Sequence, residues 1–336
     1  MSNQTPNLDL TDSPYAGQRV LVTGATSGLG FEAAAQLAEL GYAAITVTGR
    51  SADKADAARL ALVERTGRDI FDTLVVDVAS VASSRAAAAE LAGRGQSFDA
   101  LLLNAGMVPN DLELTPEGIE VCFGSSLIGH HILTTELIAA DRLADTARVV
   151  IVGSEAANGD LPKALGMKIA DFATVDAVAE PGFTEALTAF STGELGEFDG
   201  NTQYATTKVV SSWWAAEMQR RHDGRFAFFT VSPGANVGTN AARHTTGVFK
   251  IMLSVMARFG HLVGMNMPVP KGARRYVDVI VGGSDFEPGR TYTSKPKKMV
   301  GELVVRDEAH LLDPHRQQLA IAALDTIVAD VDASVG

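Results

Sequence analysis

Tyr204 and Lys208 stand four residues apart in the run Tyr204-Ala205-Thr206-Thr207-Lys208. On a helix that spacing brings a phenol and an ammonium to one face. A nearby ammonium stabilises phenolate and draws a tyrosine pKa down from about 10, so the pair can give and take a proton. Ser154 lies 50 positions earlier, after an apolar run, where its hydroxyl could hold a substrate oxygen. A different chemistry suits Thr23-Gly24-Ala25-Thr26-Ser27-Gly28-Leu29-Gly30. Its glycines permit a tight turn and let a pyrophosphate approach backbone N–H groups at the start of the next helix. The spacing TGxxxGxG is not GxGxxG, and no Lys-Ser/Thr pair follows to make a P-loop. Each motif alone has a plain structural explanation, as an exposed amphipathic helix or a packing turn. Their joint presence carries the weight.

The elements that must position these groups are apolar, β-branched runs, each followed by an Ala-rich helical pattern. Arg19–Thr23 leads into Phe31–Leu40, Ala44–Thr48 into Lys54–Glu64, and Thr73–Val78 into Ser83–Leu91. Phe98–Asn104 precedes a helix within Gly118–Ala140, and Arg148–Gly153 follows. Thr202–Arg221 reads as a helix, Arg225–Val231 as a sixth strand and Arg316–Val331 as a last helix. This alternation predicts an α/β fold, a Rossmann-like doubly wound parallel sheet in a single domain. The expected boundaries are a flexible segment at 1–16, a dinucleotide-binding domain at 17–293 and a C-terminal extension at 294–336 packed on it. Glu155–Gly200 is 46 residues without a clean strand. Connections in such folds run about 2–6 residues, so this is an insertion. Asn236–Pro270, rich in Gly and Met, is a second irregular segment.

Composition narrows the partners. The chain has 336 residues, with 28 Lys plus Arg against 40 Asp plus Glu, a formal charge of −12. That acidity argues against a nucleic-acid surface. With 46% hydrophobic and 20% charged residues, a folded globular chain is expected. Cys122, the single cysteine, allows no internal disulfide and reads as a small buried hydrophobe in a reducing compartment. Met1–Ser13 lacks the basic and apolar regions of a secretory leader. Gly247–Pro270 is interrupted by Lys250, Arg258 and His261, so no membrane span is expected and the cytoplasm is the natural compartment. His130 and His131 are adjacent on a helix and point to different faces, so no metal site is expected. Trp213-Trp214 should pack against neighbouring helices or a second subunit, and a homodimer is allowed.

Taken together, the motifs resemble the short-chain dehydrogenase/reductase family, from about Gly17 to Arg290. Thr23, Gly24, Thr26, Ser27, Gly28, Leu29 and Gly30 match its cofactor turn, and Asp77-Val78 its adenine-side strand end. Asn104-Ala105-Gly106 matches the fourth-strand motif, Ser154 the catalytic serine, and Tyr204 with Lys208 the YxxxK helix. Ser232-Pro233-Gly234 with Val237 and Thr239 resembles the segment along the nicotinamide half of the cofactor. Phe123-Gly124, Gly129-His130 and Tyr292-Thr293-Ser294-Lys295-Pro296 look most like the branch containing retinol dehydrogenases and light-dependent protochlorophyllide reductases. One position departs: where the family places an asparagine that holds a relay water, this chain has Ser126, with a shorter reach and no carbonyl acceptor.

The resemblance implies an oxidoreductase that interconverts an alcohol and a carbonyl. Tyr204 would be the acid/base, Ser154 would hold the substrate oxygen, and Lys208 would bind the nicotinamide ribose and lower the phenol pKa. Asn104 would brace strand four. Arg50 and Ser51 end strand two, where a guanidinium favours the 2′-phosphate of NADP. Reduction of a carbon–carbon double bond and a non-catalytic dinucleotide-binding role are the alternatives. Phe249, Met252, Met256, Phe259, Met265 and Met267 on one segment suggest a bulky apolar substrate. Leu161, Leu165, Met167 and Phe183 on the other would form the opposite wall.

Overall fold

Seven parallel strands and one antiparallel edge strand form a single sheet in a computed structural model, which describes residues 12–161, 166–174, 182–235, 266–282 and 285–335. The strands are β1 (Arg19–Val22), β2 (Ala44–Gly49), β3 (Phe71–Val75), β4 (Phe98–Leu103), β5 (Leu143–Val152), β6 (Ala227–Val231), β7 (Thr291–Ser294) and β8 (Leu303–Arg306). Their order is β3-β2-β1-β4-β5-β6-β7-β8. Chain direction across the sheet reverses between β1 and β4, the place where open α/β sheets leave a crevice at the strands' carboxyl ends.

Strand alternation divides the core between two faces. Leu21, Leu101, Leu103, Val149, Ile151 and Phe228 enter one buried cluster, while Val20, Val22, Ala100, Leu102, Val150 and Phe229 enter the other. Helix α1 (Gly28–Glu39) packs on the second face through Ala33, Ala34, Ala35 and Ala38, all fully buried, so its backbone lies close to the strands. Also present are α2 (Ala52–Thr66), α3 (Val81–Gly93), α4 (Val121–Phe123) and α5 (Gly129–Ala139), the last two joined by a π turn at Gly124–Ile128. The chain continues through α6 (Asp171–Thr174), α7 (Gly182–Ser191), α8 (Gly200–Arg221), α9 (Val269–Val281), α10 (Ala309–Leu312) and α11 (Pro314–Val335).

The doubly wound sheet is as expected, with three differences. The third strand ends at Val75, because Asp77 already turns the chain by accepting the Ala79 N–H at 3.1 Å. β7 and β8 have four residues each; β7 has no apolar run and β8 only Leu303-Val304-Val305, and both lie outside the strand–helix alternation that marks the others. β7 also runs across the boundary expected at residue 293.

Several described side chains of the insertion belong to the core. Phe172, Phe183, Leu187 and Phe190 are buried, and Phe183 packs against Trp213 with ring centroids 5.9 Å apart. Phe183 is therefore no substrate wall. Its place in the amphipathic α7 turns it toward the helices beneath. Leu161 and Met167 are partly exposed, and Leu165 lies outside the described residues. Both tryptophans are covered by their own chain: Trp213 Nε1 donates to His310 O at 2.7 Å and Trp214 Nε1 to His131 Nδ1 at 3.1 Å. They are not available to a second subunit.

Candidate active site

The turn after β1 is shaped by close backbone approaches. Gly24 adopts φ +65°, and a Cβ on Gly30 would stand 2.5 Å from Asn104 Nδ2 and 2.6 Å from Gly24 O. Asn104 fills that gap, donating its amide to Thr23 O at 2.9 Å and Gly24 O at 3.2 Å. The Thr23 hydroxyl accepts from Asn104 N at 2.8 Å and Ala105 N at 3.0 Å, and its one proton has His130 Nε2 at 2.9 Å and, farther off, Leu102 O at 3.4 Å as acceptors. His130 Nδ1 then donates to Ser126 O at 3.2 Å. Burial pulls the His130 pKa down to about 3, which keeps the ring neutral. His130 is thus a structural link between the β1 turn, the fourth-strand motif and the π turn. Among the described residues no group of three or more His, Cys, Asp or Glu side chains could hold a metal.

The other described residues expected at a dinucleotide follow the carboxyl ends of the same parallel strands. Ser27 is exposed ahead of α1, beside partly buried Thr26, Gly28 and Leu29. Arg50 is exposed at the end of β2, and Ser51 caps α2 with extended backbone. Asp77 is partly exposed, and Val78 is buried after β3. Gly106 lies against Ser126, whose Oγ would be 2.6 Å from an added Cβ. In the Ser232–Pro233–Gly234 turn, Gly234 has φ +77° and its N–H donates to Ser232 Oγ at 3.1 Å. Val237, Thr239 and residues 236–265, with Phe249, Met252, Met256, Phe259 and Met265, lie outside the described residues; Met267 is buried.

Ser154, Tyr204 and Lys208 come together where β5 ends against α8. Ser154 caps the short turn Glu155–Asn158, its Oγ accepting from Ala156 N at 3.2 Å, and lies near the Tyr204 phenol. Lys208 is buried, and its ammonium donates to Val152 O at 2.8 Å and lies 5.7 Å from the Tyr204 ring centroid. The lysine therefore sits over the ring face rather than at the phenol oxygen. Burial pushes the Tyr204 pKa up to about 12 against the pull of the nearby Ser154 hydroxyl, with Cys122 and Glu155 adding to the rise. The net lowering expected from Lys208 is not met: burial outweighs it, and the ammonium is turned toward the strand-end carbonyl. Burial also lowers the Lys208 pKa to about 8. Cys122 donates its thiol to Met107 O at 3.0 Å, and burial raises its pKa to about 12, so it is no nucleophile.

Two buried carboxylates escaped the sequence reading. Glu120 caps α4, accepting from Cys122 N, Phe123 N and Gln203 Nε2, each at 2.9 Å. It thereby ties α4 to the residue before Tyr204, and its position just ahead of an apolar helix start was the available clue. Glu155 follows Ser154 directly and pairs with Arg275 at 3.4 Å, both side chains 6% exposed.

Comparisons with known proteins find relatives in sequence and in fold. The family described as short chain dehydrogenase matches residues 18–165. Protochlorophyllide reductase B, chloroplastic, of Oryza sativa subsp. japonica is 28% identical over 253 residues, covering 71% of this chain and 60% of that protein. Retinol dehydrogenase 14 of Mus musculus is 28% identical over 237 residues, covering 68% of this chain and 64% of its own length. Alignments with the first curated relatives span 42%, 43% and 60% of those proteins. Among solved structures, an uncharacterized protein from Mycobacterium Paratuberculosis has TM-score 0.66 and 22% identity, covering 95% of this chain and 97% of that one. A short chain dehydrogenase from Burkholderia cenocepacia J2315 in complex with NADP has TM-score 0.56 and 22% identity, covering 82% and 95%. At these identities the structures share the fold.

Proposed function

Because the chain belongs to the short-chain dehydrogenase/reductase family, we propose that it is an NADP-dependent oxidoreductase interconverting an alcohol and a carbonyl on a bulky apolar substrate. One observation carries this reading: the Tyr204 phenol lies near enough to Ser154 to feel its hydroxyl and has Lys208 over its ring, at the carboxyl edge that also holds the glycine turn. The residues present fit a dinucleotide. The turn at Gly24 and Gly30 leaves no Cβ in the way of a pyrophosphate, and exposed Arg50 and partly exposed Asp77 stand at the adenosine end. NADPH would be held by Thr23 to Gly30, Arg50, Ser51, Asp77, Val78, Asn104 to Gly106, Pro233 and Gly234, and its nicotinamide would supply the hydride.

The chain's own residues do the rest. Ser154 donates a hydrogen bond to the carbonyl oxygen, and Tyr204, protonated at neutral pH, passes its proton to that oxygen. Lys208, charged below about pH 8, sits where it stabilises the phenolate that forms. Ser126 lies beside Gly106, where its hydroxyl can hold a relay water. The apolar substrate class is supported by Met107, Leu112, Leu114 and Leu195, large side chains that remain exposed on segments following β4 and α7. Leu112 approaches the backbone of Gly193, so these two segments meet in one apolar rim. Resemblance to a protochlorophyllide reductase supports a second reading, reduction of a carbon–carbon double bond with Tyr204 protonating carbon. The product of an NADPH-driven screen of ketones, aldehydes, quinones and conjugated rings separates the two.

Cofactor choice has its own test. Arg50→Asp should raise the NADPH Kd about ten- to a hundredfold and leave the NADH Kd nearly unchanged, because a charge-assisted pair contributes roughly 1.5–3 kcal/mol. Equal affinity of the wild-type protein for both dinucleotides, measured by fluorescence titration, would refute the preference.

A further inference from the structure

The buried Glu155 carboxylate accepts from Ser232 Oγ at 2.5 Å, Ser294 Oγ at 2.8 Å, Ser294 N at 3.2 Å and Arg275 Nη1 at 3.4 Å. Arg275, on α9, also donates to Ser232 O at 3.1 Å and Ser294 Oγ at 3.0 Å. The ends of β5, β6 and β7 are thus gathered on one carboxylate. Buried ion pairs are a weak means of stabilising a fold, since desolvation offsets their attraction. This one lies between two turns that the reaction needs. Glu155 is bonded covalently to Ser154, while Ser232 Oγ, which donates to Glu155, accepts the Gly234 N–H.

We propose that Glu155 is a positioning residue of the reaction. Its carboxylate locks the Ser154 turn to the Ser232–Gly234 turn, so that the substrate oxygen and the nicotinamide are held in register. The proposal rests on the oxidoreductase reading above. It also has an electrostatic consequence. The groups facing the Tyr204 phenol are Glu155 and Ser154 from the turn after β5, Cys122 from α4, Lys208 on its own helix and Tyr276 from α9. Of these, Glu155 is a negative charge that favours the protonated phenol, and Arg275 balances it. Glu155→Gln removes the negative charge and leaves the guanidinium, and both changes make phenolate easier to form.

The test uses the full chain with NADPH titrated by fluorescence and turnover measured in both directions. Glu155→Gln should lower kcat about ten- to a hundredfold, the loss typical of reacting groups misplaced by an ångström. NADPH Kd and carbonyl KM should stay within about threefold. The limb of alcohol oxidation that requires phenolate should move to lower pH. Ser232→Ala, which keeps the ion pair but cuts the link to Gly234, should lower kcat about tenfold; it carries the test where Glu155→Gln does not fold. The double variant Glu155→Gln/Arg275→Met should recover melting temperature without recovering kcat. Wild-type kcat in Ser232→Ala and any folded Glu155→Gln, or kcat restored together with stability in the double variant, would overturn the proposal. A wild-type chain that binds no NADPH and reduces no carbonyl would instead overturn the reading beneath it.

Discussion

Tyr204→Phe is expected to lower turnover by about 10²–10⁴, the usual contribution of a positioned proton donor, with NADPH Kd unchanged. The substitution keeps the ring beneath the Lys208 ammonium and removes only the hydroxyl near Ser154. Stability should therefore change little. The pH dependence follows from the two shifted groups. With its pKa raised to about 12, the phenol keeps its proton through the neutral range, so carbonyl reduction needs no prior protonation step there. Lys208, lowered to about 8, loses its charge above that pH and with it the stabilisation of the forming phenolate. Reduction by the wild-type protein should be level below about pH 8 and fall above it. Retained turnover in Tyr204→Phe, measured as substrate-dependent NADPH consumption, would remove the phenol from the chemistry.

Gly30→Ala is expected to damage both fold and cofactor site. The new methyl would lie 2.5 Å from Asn104 Nδ2 and 2.6 Å from Gly24 O, and neither atom has room to retreat without opening the turn. If Asn104 swings away, its bonds to Thr23 O and Gly24 O are lost, and with them the bracing between β1 and β4. Overpacking costs about 1–3 kcal/mol, and each lost hydrogen bond about 1 kcal/mol more. A destabilisation of roughly 3–5 kcal/mol by denaturant titration is expected, with NADPH binding at least about tenfold weaker. Gly17→Ala is the control, since no atom lies within 4 Å of a Cβ there. If Gly30→Ala unfolds and binds like Gly17→Ala, the turn is not built as described.

The central sheet was legible because its strands are buried on both faces and read as continuous apolar runs. Leu101, Leu102 and Leu103 are all fully buried. The glycine turn was legible for a related reason: close backbone approach restricts the residue type itself. Thr291-Tyr292-Thr293-Ser294 gave no such pattern, because a four-residue strand near the sheet edge is held by its neighbours' register and by Arg306, whose side chain reaches Thr293 Oγ1 and Ser294 O. The helical spacing of Tyr204 and Lys208 put both on one face but left open where the ammonium ends. Val152 O decides that, and it lies 56 positions away in sequence. Glu155 was hidden for the same reason. Its partners Arg275 and Ser294 are 120 and 139 positions distant, so nothing local distinguishes it from a surface acid in an insertion.

Transfer of label from NADPH carrying deuterium at the reactive nicotinamide C4 position tests the account most directly. With an apolar ketone or aldehyde, the wild-type protein should yield an alcohol bearing one deuterium on its carbinol carbon, and Tyr204→Phe should yield almost none. An NADPH complex that forms but passes its label to no carbonyl compound would contradict the account.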